Sequence, residues 1–303
     1  MTSGSIDASA PGTDVFVEHR SLLFTVAYEM LGSAADAEDV LQETWLRWHD
    51  VALAEVRDPR AYLVRITTRL ALNRLRTQQR RRESYLGPWL PEPLLTSPDI
   101  VEDVELADSV SMAMLLVLDT LSPTERAVFV LREVFGFGYD EIAAAVDKSD
   151  AAVRQVASRA RKHVEARRPR TSDDVDRDAV IRRFMDAAIG GDLQALMDVL
   201  APDVVLISDG GGKVSAARRP IEGRDKVAQF LRGLATLGQT MGVVSIEPAW
   251  VNGGPGFHLL LDGERVTTGA ARIQDGTIAE LYFVRNPDKL GRLDEPVLLT
   301  RGR

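Results

Sequence analysis

The chain contains no cysteine. That excludes disulfide scaffolds, thiolate zinc sites and cysteine nucleophiles. Histidine is nearly as scarce. His19, His49, His163 and His258 are scattered without ligand-like spacing, so neither a histidine-rich metal centre nor any other cofactor is expected. The longest strongly apolar stretch, Met112 to Leu118, is far shorter than the roughly 20 residues a membrane-spanning helix needs. Residues 1–13 are small and polar, with neither the basic region nor the apolar run of a secretory leader. They are expected to be disordered, and the protein is expected in the cytoplasm with no membrane partner. Hydrophobic residues make up 45% and charged residues 27%, the balance of a soluble globular protein. At 303 residues the chain exceeds one core and divides into two or three domains.

Charge is present in excess, and it is segregated. The whole chain carries −8, yet Arg57 to Ser84 holds nine Arg/Lys against two Asp/Glu, and Lys148 to Arg170 holds eight against two. Two separate cationic helices in an otherwise acidic chain point to two contacts with a polyanion, of which nucleic acid is the commonest.

Along the chain, Val15 to Leu86 reads as helical. Leu22, Leu23, Val26, Ala27 and Met30 recur at helical spacing before Gly32, Ser33 caps a helix through Trp48, and Asp58-Pro59 opens a long arginine-rich helix to about Ser84. A stiff linker follows, with Pro88, Pro91, Pro93 and Pro98. It also carries Trp89, Leu90, Leu94 and Leu95, apolar residues that imply docking. The next helical block, Val101 to Arg168, has Met112 to Leu118 in its first helix and a capping box at Ser122-Pro123-Thr124-Glu125. From Asp173 onward two helices, Asp176 to Gly190 and Asp192 to Leu200, precede five β-branched runs. Asp262-Gly263 and Asp275-Gly276 punctuate those runs as hairpin turns, so the domain is α+β with a curved antiparallel sheet. The boundaries are residues 1–13, 14–86, 87–108 (linker), 109–170, 174–293 and a tail, 294–303.

The most specific local pattern is a helix-turn-helix. Ile142, Ala143 and Val146 form one face of a short helix, Asp147-Lys148-Ser149 the turn, and Val153, Val156, Ala157, Ala160 and Val164 the buried stripe of the next helix. Its opposite stripe, Ala151, Arg154, Gln155, Ser158 and Lys162 with Arg159 and Arg161 beside it, suits base edges and phosphates in a major groove. A merely solvated amphipathic helix is the alternative. In the first basic helix Arg65, Arg69, Arg76 and Arg80 share a face suited to phosphate and unpaired bases. Asn73 reads equally as a base reader or a core asparagine, and Trp45 and Trp48 as aromatic platforms or core. Asp36, Glu38, Asp39 and Glu43, with Gln42 among them, exceed what helix capping requires. An acidic face beside a DNA-binding helix fits a basic protein partner.

The run Asp36-Ala37-Glu38-Asp39-Val40-Leu41-Gln42-Glu43 before a tryptophan-bearing helix resembles the core-binding region of bacterial extracytoplasmic-function sigma factors. Leu121 to Arg126 with the helix-turn-helix resembles that family's fourth domain. Trp89-Leu90-Pro91-Glu92-Pro93, Asp209-Gly210-Gly211-Gly212-Lys213 and Asn286-Pro287-Asp288-Lys289-Leu290 resemble a subgroup with a fused C-terminal SnoaL-like domain. Asn73 departs from it, standing where aspartate is expected. The resemblance implies two all-α sigma domains followed by an α+β cone. It implies core RNA polymerase and promoter DNA as partners, with the first domain at the −10 element, the recognition helix at the −35 element, and the C-terminal domain regulating in cis.

Within that domain, Asp209 to Lys213 lacks Walker spacing, and Asp209 with Lys213 is expected to grip a neighbouring element. We expect Trp89, Leu90 and Pro91 to dock between Asp209, Gly210, Gly211, Gly212 and Lys213 on one side and Asn286, Pro287, Asp288 and Lys289 on the other; the alternative is that the two segments are ordinary turns on a ligand-binding cone. An unidentified small ligand in the cone stays open. Two other functions stand beside this reading: a ligand-sensing helix-turn-helix regulator, and a SnoaL-like enzyme fused to a DNA-binding module. The second lacks support, because His258 has no positioned partner at motif spacing and no catalytic residue is expected.

Overall fold

A computed structural model describes residues 12–82, 84–98, 101, 103–168 and 176–302, with the side chains of residues 80–82 and 239 left out. Most of the segment expected to be disordered, residues 1–11, therefore lies outside the described residues.

The first helical unit comprises α1 (Thr13–Leu31), α2 (Ala34–His49) and α3 (Pro59–Arg82). Its boundaries follow from local chemistry. Gly32 ends α1 at φ 65°, where the absence of a Cβ removes the left-handed penalty. The Ser33 hydroxyl accepts the Asp36 amide to start α2, and the Asp58 carboxylate accepts the Ala61 amide to start α3.

The second unit comprises α4 (Val104–Val110), α5 (Met112–Asp119), α6 (Pro123–Phe129), α7 (Tyr139–Val146) and α8 (Asp150–Glu165). Met112 to Leu118 thus belongs to the second helix of this block, not the first. Asp103 caps an earlier helix by accepting the Leu106 amide, and Ser111 breaks the run by capping α5 at Met114. The predicted capping box is complete, with Ser122 and Glu125 each accepting the other's amide. After α6 the chain widens into a π turn, Val130–Val134, and Gly136 at φ 71° ends it. One apolar cluster runs without interruption through both units, from Phe16, Leu31 and Leu63 to Leu131, Ile142 and Val164. The two helical units therefore share a core.

The C-terminal unit comprises α9 (Arg177–Gly190), α10 (Leu193–Val199), β1 (Leu200–Asp209), β2 (Ile221–Glu222), α11 (Arg224–Met241), β3 (Val244–Val251), β4 (Gly254–Leu261), β5 (Glu264–Gln274) and β6 (Thr277–Val284). It is the expected α+β cone, with two differences. The sheet, ordered β2-β1-β6-β5-β4-β3, is mixed and not wholly antiparallel, because β1 and β6 pair in parallel. They are joined by the long excursion through α11 and the β3–β5 meander, which is what a parallel pair requires. Helix α11 also lies where no helix was expected, although Val227, Ala228 and Leu231, all buried, recur at helical spacing. The hairpin turns are as expected: Asp262-Gly263 and Asp275-Gly276 all have positive φ, as does Asn252-Gly253.

The sheet has two apolar faces. One packs on α9, α10 and α11, and Phe184, Phe257 and Phe283 interlock there with centroids 5.5 and 5.7 Å apart. The other bears Val251, Ala270, Tyr282 and Val284, and it packs on Leu90 of the linker and on Met112 and Ala113 of α5. The segment expected as a tail also returns to the helical core. Leu299 is fully buried in it, the Val297 amide donates to the Leu95 carbonyl, and Arg301 pairs with Asp103 and Glu105.

Candidate nucleic-acid interface and interdomain site

In the helix-turn-helix, Asp147 adopts the left-handed conformation at φ 57°, and Ser149 caps α8 by accepting the Ala152 amide. Val153, Val156, Ala157, Ala160 and Val164 are buried, which leaves Ala151, Arg154, Gln155, Ser158, Arg159, Arg161 and Lys162 on or beside the outward face. All but Ala151 are polar, and all seven are exposed. Two are partly committed: the Arg154 guanidinium lies over the Tyr139 ring at 4.4 Å, and Arg161 forms a 2.7 Å ion pair with Glu133.

On α3 the residues of the predicted stripe are not equivalent. Arg65 stacks on Tyr62 at 4.8 Å. Arg69 reaches across to the second unit, donating to the carbonyls of Ala144 and Ala145 at 2.8 and 3.4 Å, the C-terminal end of α7. Cations there are favoured by the helix dipole. Arg76 is exposed and donates to Asn73 at 3.4 Å, while the side chain of Arg80 lies outside the described residues. Asn73 is exposed, so the core alternative for it falls. Trp48 is buried with its Nε1 donating to the Gly12 carbonyl, and Trp45 is wedged between Phe16 and His49. For these two tryptophans the core alternative holds.

The acidic face of α2 is threaded by arginines of its own unit. Arg74 bridges Asp36 and Asp39, Arg20 pairs with Glu38, and Arg47 pairs with Glu43. Gln42 is exposed. Leu46, one turn beyond Gln42, is 60% exposed.

Charge, burial and backbone shape converge on Asp209. Its carboxylate is wholly buried and accepts from Tyr85 Oη (2.6 Å), the amides of Leu90 and Gly211 (2.9 Å each) and Lys289 Nζ (2.7 Å). Lys289 also donates to the Leu90 carbonyl at 2.5 Å and lies over the Trp89 ring at 4.4 Å. Burial, reinforced by the neighbouring Asp209 carboxylate, pushes the Tyr85 phenol well up. Asn286 donates to the same hydroxyl at 2.9 Å. The glycines leave room for this convergence: a Cβ at Gly211 would overlap the Asn286 amide, and one at Gly212 the Leu86 side chain. Lys213 does not join Asp209. It pairs with Asp288 at 2.6 Å, while Lys289 takes the buried acid. Pro287 opens a short 3-10 turn, Pro287–Lys289, that aims Lys289 inward.

His258 is buried against Thr268. Burial, with Arg265 second, pushes its pKa down to about 4. It is a neutral structural histidine.

Two helical units of this kind, one with an acid-fronted α2 before a basic α3 and one with a helix-turn-helix, define a sigma-type transcription initiation factor. The chain matches Sigma-70 region 2 over residues 15–81 and Sigma-70, region 4 over residues 111–164. It is 39% identical over 282 residues to the ECF RNA polymerase sigma factor SigJ of Mycobacterium tuberculosis, covering 89% of this chain and 90% of the relative. It is 30% identical over 280 residues to the probable ECF RNA polymerase sigma factor SigI of the same organism, covering 91% and 93%. The crystal structure of SigJ superposes with a TM-score of 0.74 at 35% identity, covering 93% of this chain and 98% of that one. The chain belongs to the extracytoplasmic-function sigma factor family. It binds core RNA polymerase and directs promoter-specific initiation, and it is not an enzyme.

Proposed function

We propose the following division of roles. The outward face of α8, with Arg154, Gln155, Ser158, Arg159 and Lys162 at its centre, reads the −35 element. The exposed end of the α3 stripe, Arg76 and Asn73 with Arg80 beyond, meets the opened −10 element. The α2 face, Asp36, Glu38, Asp39, Gln42 and Glu43 with Leu46, docks on core polymerase, which places the working protein in the cytoplasm. Among the described residues no helix is long and apolar enough to cross a membrane.

The observation that carries the regulatory part is Arg69. A residue of the DNA-facing stripe is bonded to the carbonyls of α7, and the two sigma units share a core. While Arg69 is bonded to α7 it is not free to meet DNA, which supports reading this arrangement as a resting state. The cone, seated on α5 and the linker through its outer sheet face, holds that state in cis. Trp89, Leu90 and Pro91, with the Asp209 to Lys213 and Asn286 to Lys289 segments, form the contact through which it acts.

In vitro transcription with core polymerase tests this. Changing Trp89 to Ala is expected to alter promoter output while leaving binding to an isolated −35 duplex unchanged. Equal output from the variant and the unaltered chain would refute the regulatory role. A chain that directs no initiation in any form would refute the assignment of the two DNA-facing stripes.

A further inference from the structure

Glu92 of the linker meets the first sigma unit at the start of α2. Glu92 is 4% exposed. Its carboxylate accepts the Ser33 hydroxyl at 2.9 Å and the Ala35 amide at 3.1 Å. Its amide donates to the Gly32 carbonyl at 2.8 Å, and its carbonyl accepts the Tyr28 hydroxyl at 2.8 Å. The first turn of a helix leaves its amides without intrahelical partners and carries a positive partial charge. Ser33 satisfies the Asp36 amide and Glu92 satisfies that of Ala35. Because the Ser33 proton is given to Glu92, a serine lone pair stays directed at Asp36. The cap of α2 is thus completed by a residue 57 positions away.

Two residues earlier the same strand of linker is held by the cone. The Leu90 amide donates to Asp209 and its carbonyl accepts from Lys289. Beyond the last strand, Arg292 donates to the Ala34 carbonyl at 3.5 Å. Trp89 and Pro91 close against Gly32, where an added Cβ would meet them at 3.2 and 3.7 Å. Leu90 and Glu92 therefore form a short rigid connector, with one end in the cone and the other on the helix that bears Asp36, Glu38, Asp39, Gln42 and Glu43.

We infer that Glu92 is a positioning residue for core-polymerase binding: by capping α2 it sets the orientation of the polymerase-facing helix, and through Leu90 it makes that orientation answer to the cone. The inference rests on the proposed role of α2. On it, the cone acts on the grip on polymerase directly, in addition to any effect on the DNA-facing stripes.

The test uses the full chain, with affinity for fluorescently labelled core polymerase and for an isolated −35 duplex measured separately. Loss of a side-chain cap corresponds to about a fivefold change. Glu92→Ala is therefore expected to weaken polymerase binding about fivefold and leave duplex binding unchanged. Glu92→Gln, which keeps an acceptor oxygen, is expected to recover most of the affinity. Glu43→Ala is the control on α2 itself. If Glu43→Ala weakens polymerase binding and Glu92→Ala does not, the inference is overturned and the role of α2 stands. If Glu92→Ala lowers polymerase and duplex affinity equally, Glu92 is only structural and the inference is overturned. If Glu43→Ala leaves polymerase affinity unchanged, the proposed role of α2 fails and the inference with it.

Discussion

Glu29 is a titratable residue at odds with its surroundings. It lies fully buried on α1, accepts the Ser109 hydroxyl from α4 at 2.7 Å, and faces Arg126 of α6 and Arg301 of the returning C-terminal segment. Burial dominates these favourable partners and pushes its pKa from 4.5 up to about 7. A raised carboxylate pKa means the folded chain holds the proton more tightly than the unfolded one. The stability it confers is complete below about pH 4.5 and is lost as pH rises to about 7. His258 works the other way. Depressed from 6.5 to about 4, it supports the fold above pH 6.5 and loses that contribution as pH falls toward 4. The two trends oppose each other over much of the weakly acidic range. Difference curves of denaturant midpoint against pH for Glu29→Gln and His258→Gln should therefore slope in opposite directions. A flat Glu29→Gln difference curve between pH 4.5 and 7 would show that Glu29 is not the titrating group.

At the scale of the element, the helix-turn-helix depends on one backbone conformation. Asp147 sits at φ 57° and ψ 54° between α7 and α8, where a β-branched residue is strained and glycine is not. Asp147→Val should cost about 1–2 kcal/mol in unfolding free energy and weaken binding to the −35 duplex. Asp147→Gly should retain both. Equal loss in the two variants would mean that the aspartate side chain, and not its backbone angle, holds the turn. The helix ends elsewhere were legible for the same reason. Ser33, Asp58, Ser122 and Ser149 cap where they were expected to, because capping needs only a short polar side chain three residues before an amide. Helix α11 escaped notice although Val227, Ala228 and Leu231 are buried. The charged residues between Arg224 and Arg232 concealed an ordinary amphipathic period.

At the scale of the whole molecule, the Asp209–Lys289 lock and the returning C-terminal segment are two of the ties that join the three units. Asp209 is wholly buried and the Lys289 side chain is 12% exposed. Removing one partner of such a pair leaves an uncompensated buried charge, typically worth about 3–5 kcal/mol. Lys289→Ala should accordingly lower the melting temperature and expose the linker to protease, and adding Asp209→Asn should recover part of the loss. If the double variant is less stable than Lys289→Ala alone, the lock is not governed by the buried charge.

The sequence alone determined the helix-turn-helix, the two cationic helices, the capped boundaries and the α+β character of the last unit. All of these are short-range consequences of periodicity, charge and turn chemistry. It also marked the linker as a docking segment, because apolar residues on a proline-stiffened connector need something to cover them, while Asp209 to Lys213 and Asn286 to Lys289 were singled out through the family resemblance. Only the tertiary structure decided the partners. Whether Lys213 or Lys289 takes Asp209, whether β6 runs parallel to β1, and whether Leu299 seats in the helical core depend on chain segments dozens to hundreds of residues apart. So does the placement of Glu92 at the head of α2. No local preference encodes such choices; they follow from which buried charges and apolar faces the packed chain brings together.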